Sequence, residues 1–126
     1  MPECAREFVR LAHVQYLHAA GIPELQPDWL AENPSGVHIL DVREPDEFTG
    51  ALGHIANAKL IPLGSLLNNM NKISKEKPVV VVCRSGARSA QATMMLKNAG
   101  YAKVANLAGG MQRWRAQNLP VEGGAA

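Results

Sequence analysis

A single short stretch of this chain, residues 83–89, combines a cysteine with two arginines and four small residues. Cysteine attacks as its thiolate, and nearby positive charge favours that form. Arg84 and Arg88 supply such charge, whereas a cysteine that is merely buried would leave both arginines without a purpose or a partner. The stretch therefore indicates a reactive Cys83 beside a site for an anion. The alternative is a buried, inert cysteine at the end of a strand.

The flanking residues predict how Cys83 is held. Val79–Val82 form a short β-branched run of the kind that parallel sheets bury on both faces. Residues 90–99 are rich in helix formers and are followed by Gly100, a common residue after a helix. Cys83 is therefore predicted at the carboxyl end of a central strand, where α/β proteins bind ligands, beside helix N–H groups that can hold an anion.

The loop that begins at Cys83 is short, because four residues separate Cys83 from Arg88 where tyrosine-phosphatase loops have five. Its sequence, Cys-Arg-Ser-Gly-Ala-Arg-Ser, resembles the active-site loop of the rhodanese-like sulfurtransferases. In that family the cysteine takes up a sulfane sulfur as a persulfide inside a ring of loop amides, and related phosphatases have a longer loop. The resemblance implies that Cys83 is catalytic and that the next five residues bind substrate: Arg84, Ser85, Gly86, Ala87 and Arg88.

Two other segments carry the same resemblance. Residues 41–48, Asp-Val-Arg-Glu-Pro-Asp-Glu-Phe, resemble the early signature of the family. Residues 107–110, followed by Trp114 and by Leu-Pro-Val at 119–121, resemble its closing signature. The resemblance covers residues 22–121. A Gly-His-Ile segment at 53–55 also fits, although Asn57 stands where the family usually has glycine, a substitution that a positive φ tolerates.

Three charged residues of the early signature, Asp41, Arg43 and Glu47, have two readings. They form either an acid/base set or a structural network of ion pairs behind the loop, and the second is favoured because such networks also cluster near sites. His54 is interpreted in the same way, as a structural residue, since thiolate chemistry here needs no separate base.

The remaining pattern predicts an α/β fold: one rhodanese-like domain with a central, mostly parallel sheet and helices on both faces. Further strands are predicted at 22–25 (an edge strand), 37–43, 59–62 and 103–107. Further helices are predicted at 27–33, 44–48, 65–73 (capped by Ser65) and 111–117. Apolar residues at helical spacing in the first twenty positions predict a helical extension over 1–21, ahead of a domain at 22–121 and a flexible tail at 122–126.

Composition narrows the class of protein. The chain has 126 residues, a net charge of +2 without charge blocks, and 5% aromatic residues, which argues against nucleic acid as a partner. No apolar run approaches the length of a membrane span. The two cysteines, Cys4 and Cys83, give no disulfide framework and no metal motif, so no metal or cofactor is expected. A reducing, cytoplasmic location is the expectation.

The resemblance implies transfer of a sulfane sulfur from a small donor such as thiosulfate to an acceptor through a persulfide of Cys83. The acceptor is cyanide in an assay, and a small thiol or a protein thiol in the cell. Two alternatives are a phosphatase or arsenate reductase of the same fold, and a non-catalytic docking module that uses the N-terminal helix.

Overall fold

The computed structural model describes residues 14–17 and 21–124, which form a six-stranded sheet covered by helices. The strand order is β1-β2-β6-β5-β3-β4, and every neighbouring pair is parallel except β1 with β2. The strands are β1 (Val14–Leu17), β2 (Pro23–Leu25), β3 (His38–Asp41), β4 (Lys59–Leu60), β5 (Val79–Val82) and β6 (Val104–Leu107).

The helices lie on both faces of this sheet, as predicted. They are α1 (Pro27–Glu32), α2 (Pro45–Phe48), α3 (Leu66–Asn69), α4 (Ala87–Asn98) and α5 (Gly110–Ala116). Three short 3₁₀ turns occur at Pro34–Gly36, Leu63–Ser65 and Met70–Lys72. No helix in the described part of the chain is long and apolar enough to cross a membrane.

The four valines of β5 explain why this strand is central. All four are buried, and they alternate between two cores because successive side chains of a strand point to opposite faces. Val80 and Val82 pack with residues of α1 and α5, including Trp114. Val79 and Val81 pack with residues of α3 and α4. The prediction of a strand buried on both faces is confirmed, and it fixes where Cys83 emerges.

The predicted N-terminal helix is wrong where the structure tests it. Val14–Leu17 form β1, which pairs antiparallel with β2, and residues 1–13 and 18–20 lie outside the described part. The open main-chain groups along β2 offer β1 a ladder of hydrogen bonds, and Val14 and Tyr16 are residue types that favour strands. For the same reason β2 is not an edge strand, and Pro23 stands at its first residue, where proline is tolerated.

Several boundaries differ from the predictions. The helix predicted over 65–73 is α3 followed by a 3₁₀ turn, and Ser65 makes no capping hydrogen bond with its side chain. The helix α4 begins at Ala87, three residues earlier than expected, because the loop turns sharply at Gly86. Asn57 has the predicted positive φ of 67°. Glu122, the first residue of the predicted tail, exchanges main-chain hydrogen bonds with His54, so the ordered domain extends at least to this residue.

Candidate active site

Cys83 lies at the carboxyl end of β5 and is 1% exposed. Within the described part of the chain, two donor groups lie within hydrogen-bond distance of its sulfur: the backbone N–H of Gly86 at 3.0 Å and the hydroxyl of Ser89 at 3.2 Å. Donors of this kind stabilise a negatively charged sulfur more than a neutral one. The sulfur therefore sits in a cradle suited to a thiolate, at the start of the twelve-residue helix α4.

Two glycines allow the backbone to form this cradle. Gly86 has φ = 111°, a left-handed conformation that residues with a Cβ rarely adopt, and this turn brings its N–H back to Cys83. Gly110 opens α5, where a Cβ would collide with the carbonyl oxygens of Cys83 and Arg84. The backbone N–H of Met111 donates to the Cys83 carbonyl at 2.9 Å, so the closing signature holds the loop from the side of α5.

The two arginines of the loop have different surroundings. Arg88 forms a two-pronged ion pair with Glu47, at 2.6 and 2.7 Å. This hydrogen bond is the main cause that lowers the pKa of Glu47 to about 2, and the same contact raises the pKa of Arg88. Arg84 is exposed, and it lines an open cleft of about 270 Å³ together with Arg43, Asp46 and the segment 50–52. Arg84 is therefore free to meet a ligand, whereas Arg88 is engaged in holding α2.

The predicted supporting residues form one assembly with Arg88. Arg43 and Asp41 are each 1% exposed and are joined by a fork of hydrogen bonds at 2.8–3.1 Å. Arg43 also donates to the carbonyl oxygens of Glu47 at 3.1 Å and Gly53 at 2.8 Å. We call Asp41, Arg43, Glu47 and Arg88 the charged network. Its contacts are those of a structural brace for α2, in line with the interpretation as ion pairs behind the loop.

His54 also has structural contacts. Its ring stacks on Phe48, with centroids 3.9 Å apart, and its Nδ1 lies 3.0 Å from the Phe48 carbonyl oxygen. Its Nε2 is 3.4 Å from the carboxylate of Glu122. These contacts tie the end of the domain to α2.

Of the other predicted loop residues, Gly86 is buried and donates its N–H to the sulfur, while Ser85 and Ala87 are exposed. A separate apolar pocket of about 260 Å³ is formed mainly by α1, α5 and the segments 55–57 and 120–122. Its walls include no residue of the Cys83 loop, so the loop and the cleft beside Arg84 are the candidate site.

Sequence reasoning missed three buried polar residues beside the cradle. The Ser89 hydroxyl donates to Oδ1 of Asn106, and Nδ2 of Asn106 donates to Glu24 at 2.7 Å and to the Gly86 carbonyl at 3.2 Å. We call Glu24, Asn106 and Ser89 the amide network. The available signal was the presence of Glu24 and Asn106 inside otherwise apolar strand segments, since buried polar groups are normally hydrogen-bonded.

Comparisons with known proteins agree with this geometry. The profile of the family described as "Rhodanese-like domain" matches residues 26–117. A protein named "Sulfurtransferase" from Allochromatium vinosum is 41% identical over 85 residues, which are 68% of this chain and 78% of that protein. The uncharacterized protein YqhL of Bacillus subtilis is 42% identical over 76 residues, which are 60% of this chain and only 59% of that relative's length.

Among solved structures, a rhodanese-related protein from Thermoplasma volcanium superposes with a TM-score of 0.73 at 32% identity. The match covers 79% of this chain and 96% of that one. The strand order, the loop at Cys83 and the matched segments thus lead to one assignment: the chain belongs to the rhodanese-like domain family.

Proposed function

We propose that this protein is a sulfurtransferase that moves a sulfane sulfur from an anionic donor such as thiosulfate to a thiophilic acceptor through a persulfide on Cys83. The observation that carries the proposal is the cradle around Cys83 Sγ, in which the Gly86 N–H donates to the sulfur at 3.0 Å and the Ser89 hydroxyl lies 3.2 Å from it, in a loop whose Arg84 lines a cleft. The relative named "Sulfurtransferase" supports it.

In the first half-reaction, the Cys83 thiolate attacks the outer sulfur of thiosulfate and forms a new S–S bond. The S–S bond within thiosulfate breaks, and its electron pair leaves with sulfite. Covalent capture by the protein divides one difficult transfer into two easier ones. The donors around Cys83 Sγ hold the nucleophile at the strand end.

In the second half-reaction, the acceptor attacks the terminal sulfur of the persulfide. The S–S bond to Cys83 breaks, and its electron pair returns to Sγ, which is again a thiolate held by the N–H of Gly86 and the hydroxyl of Ser89. Cyanide leaves as thiocyanate, and a thiolate acceptor leaves as a new persulfide. A small thiol or a protein thiol is the cellular acceptor in this proposal.

The two arginines of the loop have different roles in this proposal. Arg84, exposed at the cleft, meets the incoming anion, and Arg88, paired with Glu47, keeps the loop in shape. In this proposal Ser85 and Ala87, both exposed, contact the incoming donor, and Gly86 holds the sulfur through its backbone N–H. The proposal places the protein in a reducing, cytoplasmic setting, where a free thiol such as Cys83 persists.

The test is thiocyanate formation from thiosulfate and cyanide. Wild type and Cys4→Ser are expected to turn over alike, while Cys83→Ser loses the activity. Undiminished activity of Cys83→Ser would refute the proposal. Hydrolysis of p-nitrophenyl phosphate or reduction of arsenate, dependent on Cys83 and without sulfur transfer, would instead favour a phosphatase or arsenate reductase. Absence of all three activities would favour a docking module.

A further inference from the structure

The amide network joins three separate elements of the fold to the sulfur of Cys83. Glu24 on β2 and Asn106 on β6 are register partners in neighbouring parallel strands, and Asn106 is in turn opposite Val81 of β5. Ser89, in the first turns of α4, lies between Asn106 and the sulfur. The exposed fractions are 7% for Glu24 and 0% for Asn106 and Ser89, so water does not compete for these groups.

The hydrogen atoms of this network can be assigned by counting donors. Nδ2 of Asn106 has two N–H bonds, and they point to two acceptors: the carboxylate of Glu24 and the carbonyl of Gly86. Turning the amide over would place its oxygen against both acceptors, so the orientation of Asn106 is fixed. Its Oδ1 therefore faces Ser89 as an acceptor, and the Ser89 hydroxyl donates its one hydrogen there.

Ser89 consequently has a choice between two acceptors. Its oxygen is also 3.2 Å from Cys83 Sγ, but a hydroxyl has only one hydrogen to donate. When Sγ is a thiol or part of a persulfide it carries no charge, and Asn106 is the better acceptor. When Sγ is a thiolate, before attack on the donor and after transfer to the acceptor, a charged sulfur competes for the same hydrogen.

We propose that Glu24 is a positioning residue of this site, which acts through Asn106 to set how readily the Ser89 hydroxyl turns to Cys83 Sγ during sulfur transfer. The Glu24 carboxylate polarises the Asn106 amide and strengthens Oδ1 as an acceptor, because hydrogen bonds in a chain reinforce one another in a buried setting. Glu24 thus keeps the Ser89 hydroxyl on Asn106 while the sulfur is uncharged. When the sulfur is a thiolate, the same effect weakens the hydrogen bond from Ser89 to Cys83 Sγ. This role of Glu24 in sulfur transfer rests on the proposed sulfurtransferase function.

The test titrates the thiolate of Cys83 directly, by its ultraviolet absorbance against pH, in a Cys4→Ser background. The same titration of a Cys4→Ser, Cys83→Ser variant is subtracted to remove the tyrosine contribution. Glu24→Gln keeps the shape of the side chain and removes its charge. We expect it to lower the midpoint of thiolate formation by about half a pH unit or more, the scale of a change in one buried neighbour. The matched control is Glu32→Gln, the same change at an exposed position on α1, which should leave the midpoint in place.

Other charged groups lie in or around the Cys83 loop and remain unchanged in the comparison. They are Arg84 on the loop, Arg88 on α4, which interacts electrostatically with Cys83, its partner Glu47 on α2, and the Asp41–Arg43 pair at the end of β3. Because every variant retains them, a difference between Glu24→Gln and Glu32→Gln reports the amide network.

A second pair of variants separates a route through Ser89 from a direct effect of the Glu24 charge on the sulfur. Ser89→Ala should raise the midpoint, because it removes one donor to Sγ. Adding Glu24→Gln to Ser89→Ala should then produce less than half of the shift seen with Ser89 present. A full shift in the absence of Ser89, or no shift with Ser89 present, would overturn the proposal.

Failure of this inference is distinguishable from failure of the proposed function, because the titration needs no sulfur donor. A coupled shift without thiocyanate formation would retain the positioning role and refute sulfur transfer. Thiocyanate formation without a titration shift that depends on Ser89 would support sulfur transfer and refute the positioning role of Glu24. Thermal unfolding of each variant, measured in parallel, identifies any variant that does not fold. If the Ser89→Ala variants do not fold, the Glu24→Gln titration decides alone: a lower midpoint supports the proposal, and an unchanged midpoint overturns it.

Discussion

The charged network and the amide network both reach the Cys83 loop, but they are built from different chemistry. The charged network consists of two ion pairs, one fully buried and one partly exposed at 25% and 36% for Glu47 and Arg88. The amide network has one carboxylate, one amide and one hydroxyl, all buried. The first braces the helix beside the loop, and the second touches the sulfur itself. The comparison indicates that the charged network, on the β3 side of β5, maintains the shape of the loop, and that the amide network, on the β6 side, adjusts the reactivity of Cys83.

The largest loss of stability is expected when the buried ion pair between Asp41 and Arg43 is broken. Arg43→Met leaves Asp41 buried and uncompensated, and breaking such a pair costs about 3–5 kcal/mol of the free energy of unfolding. Urea denaturation measures this loss. The matched control is Arg84→Met, the same change at an exposed arginine, which should stay within about 0.5 kcal/mol of wild type. Equal losses in the two variants would show that the charged network does not brace the domain.

A smaller loss of stability is expected in the amide network. Asn106→Leu keeps the size of the side chain but deprives Glu24 and the Gly86 carbonyl of their donor, which costs about 1–3 kcal/mol. The control, Asn98→Leu at the exposed end of α4, should be close to neutral. We expect the Asn106→Leu loss to be insensitive to salt, because no ion pair is broken. A loss that salt abolishes would contradict this description of the network.

Arg84→Ala should change activity without changing stability. A hydrogen bond to a charged group is worth about 1.5–3 kcal/mol, and so the apparent affinity for thiosulfate should fall by about tenfold or more. The deficit should shrink as ionic strength rises, because the contact is exposed and therefore screened. Steady-state kinetics at low and high salt measure both features. Unchanged saturation by thiosulfate, together with a lower melting temperature than that of Arg88→Ala, would reverse the assigned roles of the two arginines.

The smallest effect is expected in how the contribution of the partly exposed Glu47–Arg88 pair to stability changes with pH. The pKa of Glu47 is lowered from 4.5 to about 2, chiefly by the hydrogen bond from Arg88. Since the folded value lies below the unfolded one, the stabilisation is complete above 4.5 and is lost as the pH falls towards 2. The exposed part of the pair is screened, so its contribution is about 1 kcal/mol or less.

Denaturation of wild type and Arg88→Gln across this pH range tests that prediction. The difference in unfolding free energy between them should narrow as the pH falls, whereas the difference between wild type and Arg84→Gln should stay near zero throughout. A difference for Arg88→Gln that is constant with pH would mean that the ion pair with Glu47 is not what Arg88 contributes.

The comparison of the two networks also explains what the sequence could predict. Asp41 and Arg43 are two positions apart, and Cys83 to Arg88 are contiguous, so local spacing and a known signature identified them. Glu24 and Asn106 are 82 positions apart and become neighbours only when β2 lies beside β6. No local pattern encodes that pairing. The strand β1 was missed for the same reason, since its partner along β2 outweighs the helical spacing of its own residues.

The central claim is that Cys83 carries the transferred sulfur, and intact-protein mass spectrometry tests it most directly. Incubation of the reduced protein with thiosulfate should add the mass of one sulfur atom, and peptide mapping should locate it on Cys83. Subsequent cyanide should remove that mass and release thiocyanate. An unmodified Cys83, or an added sulfur that Cys83→Ser retains and cyanide still removes, would contradict the account.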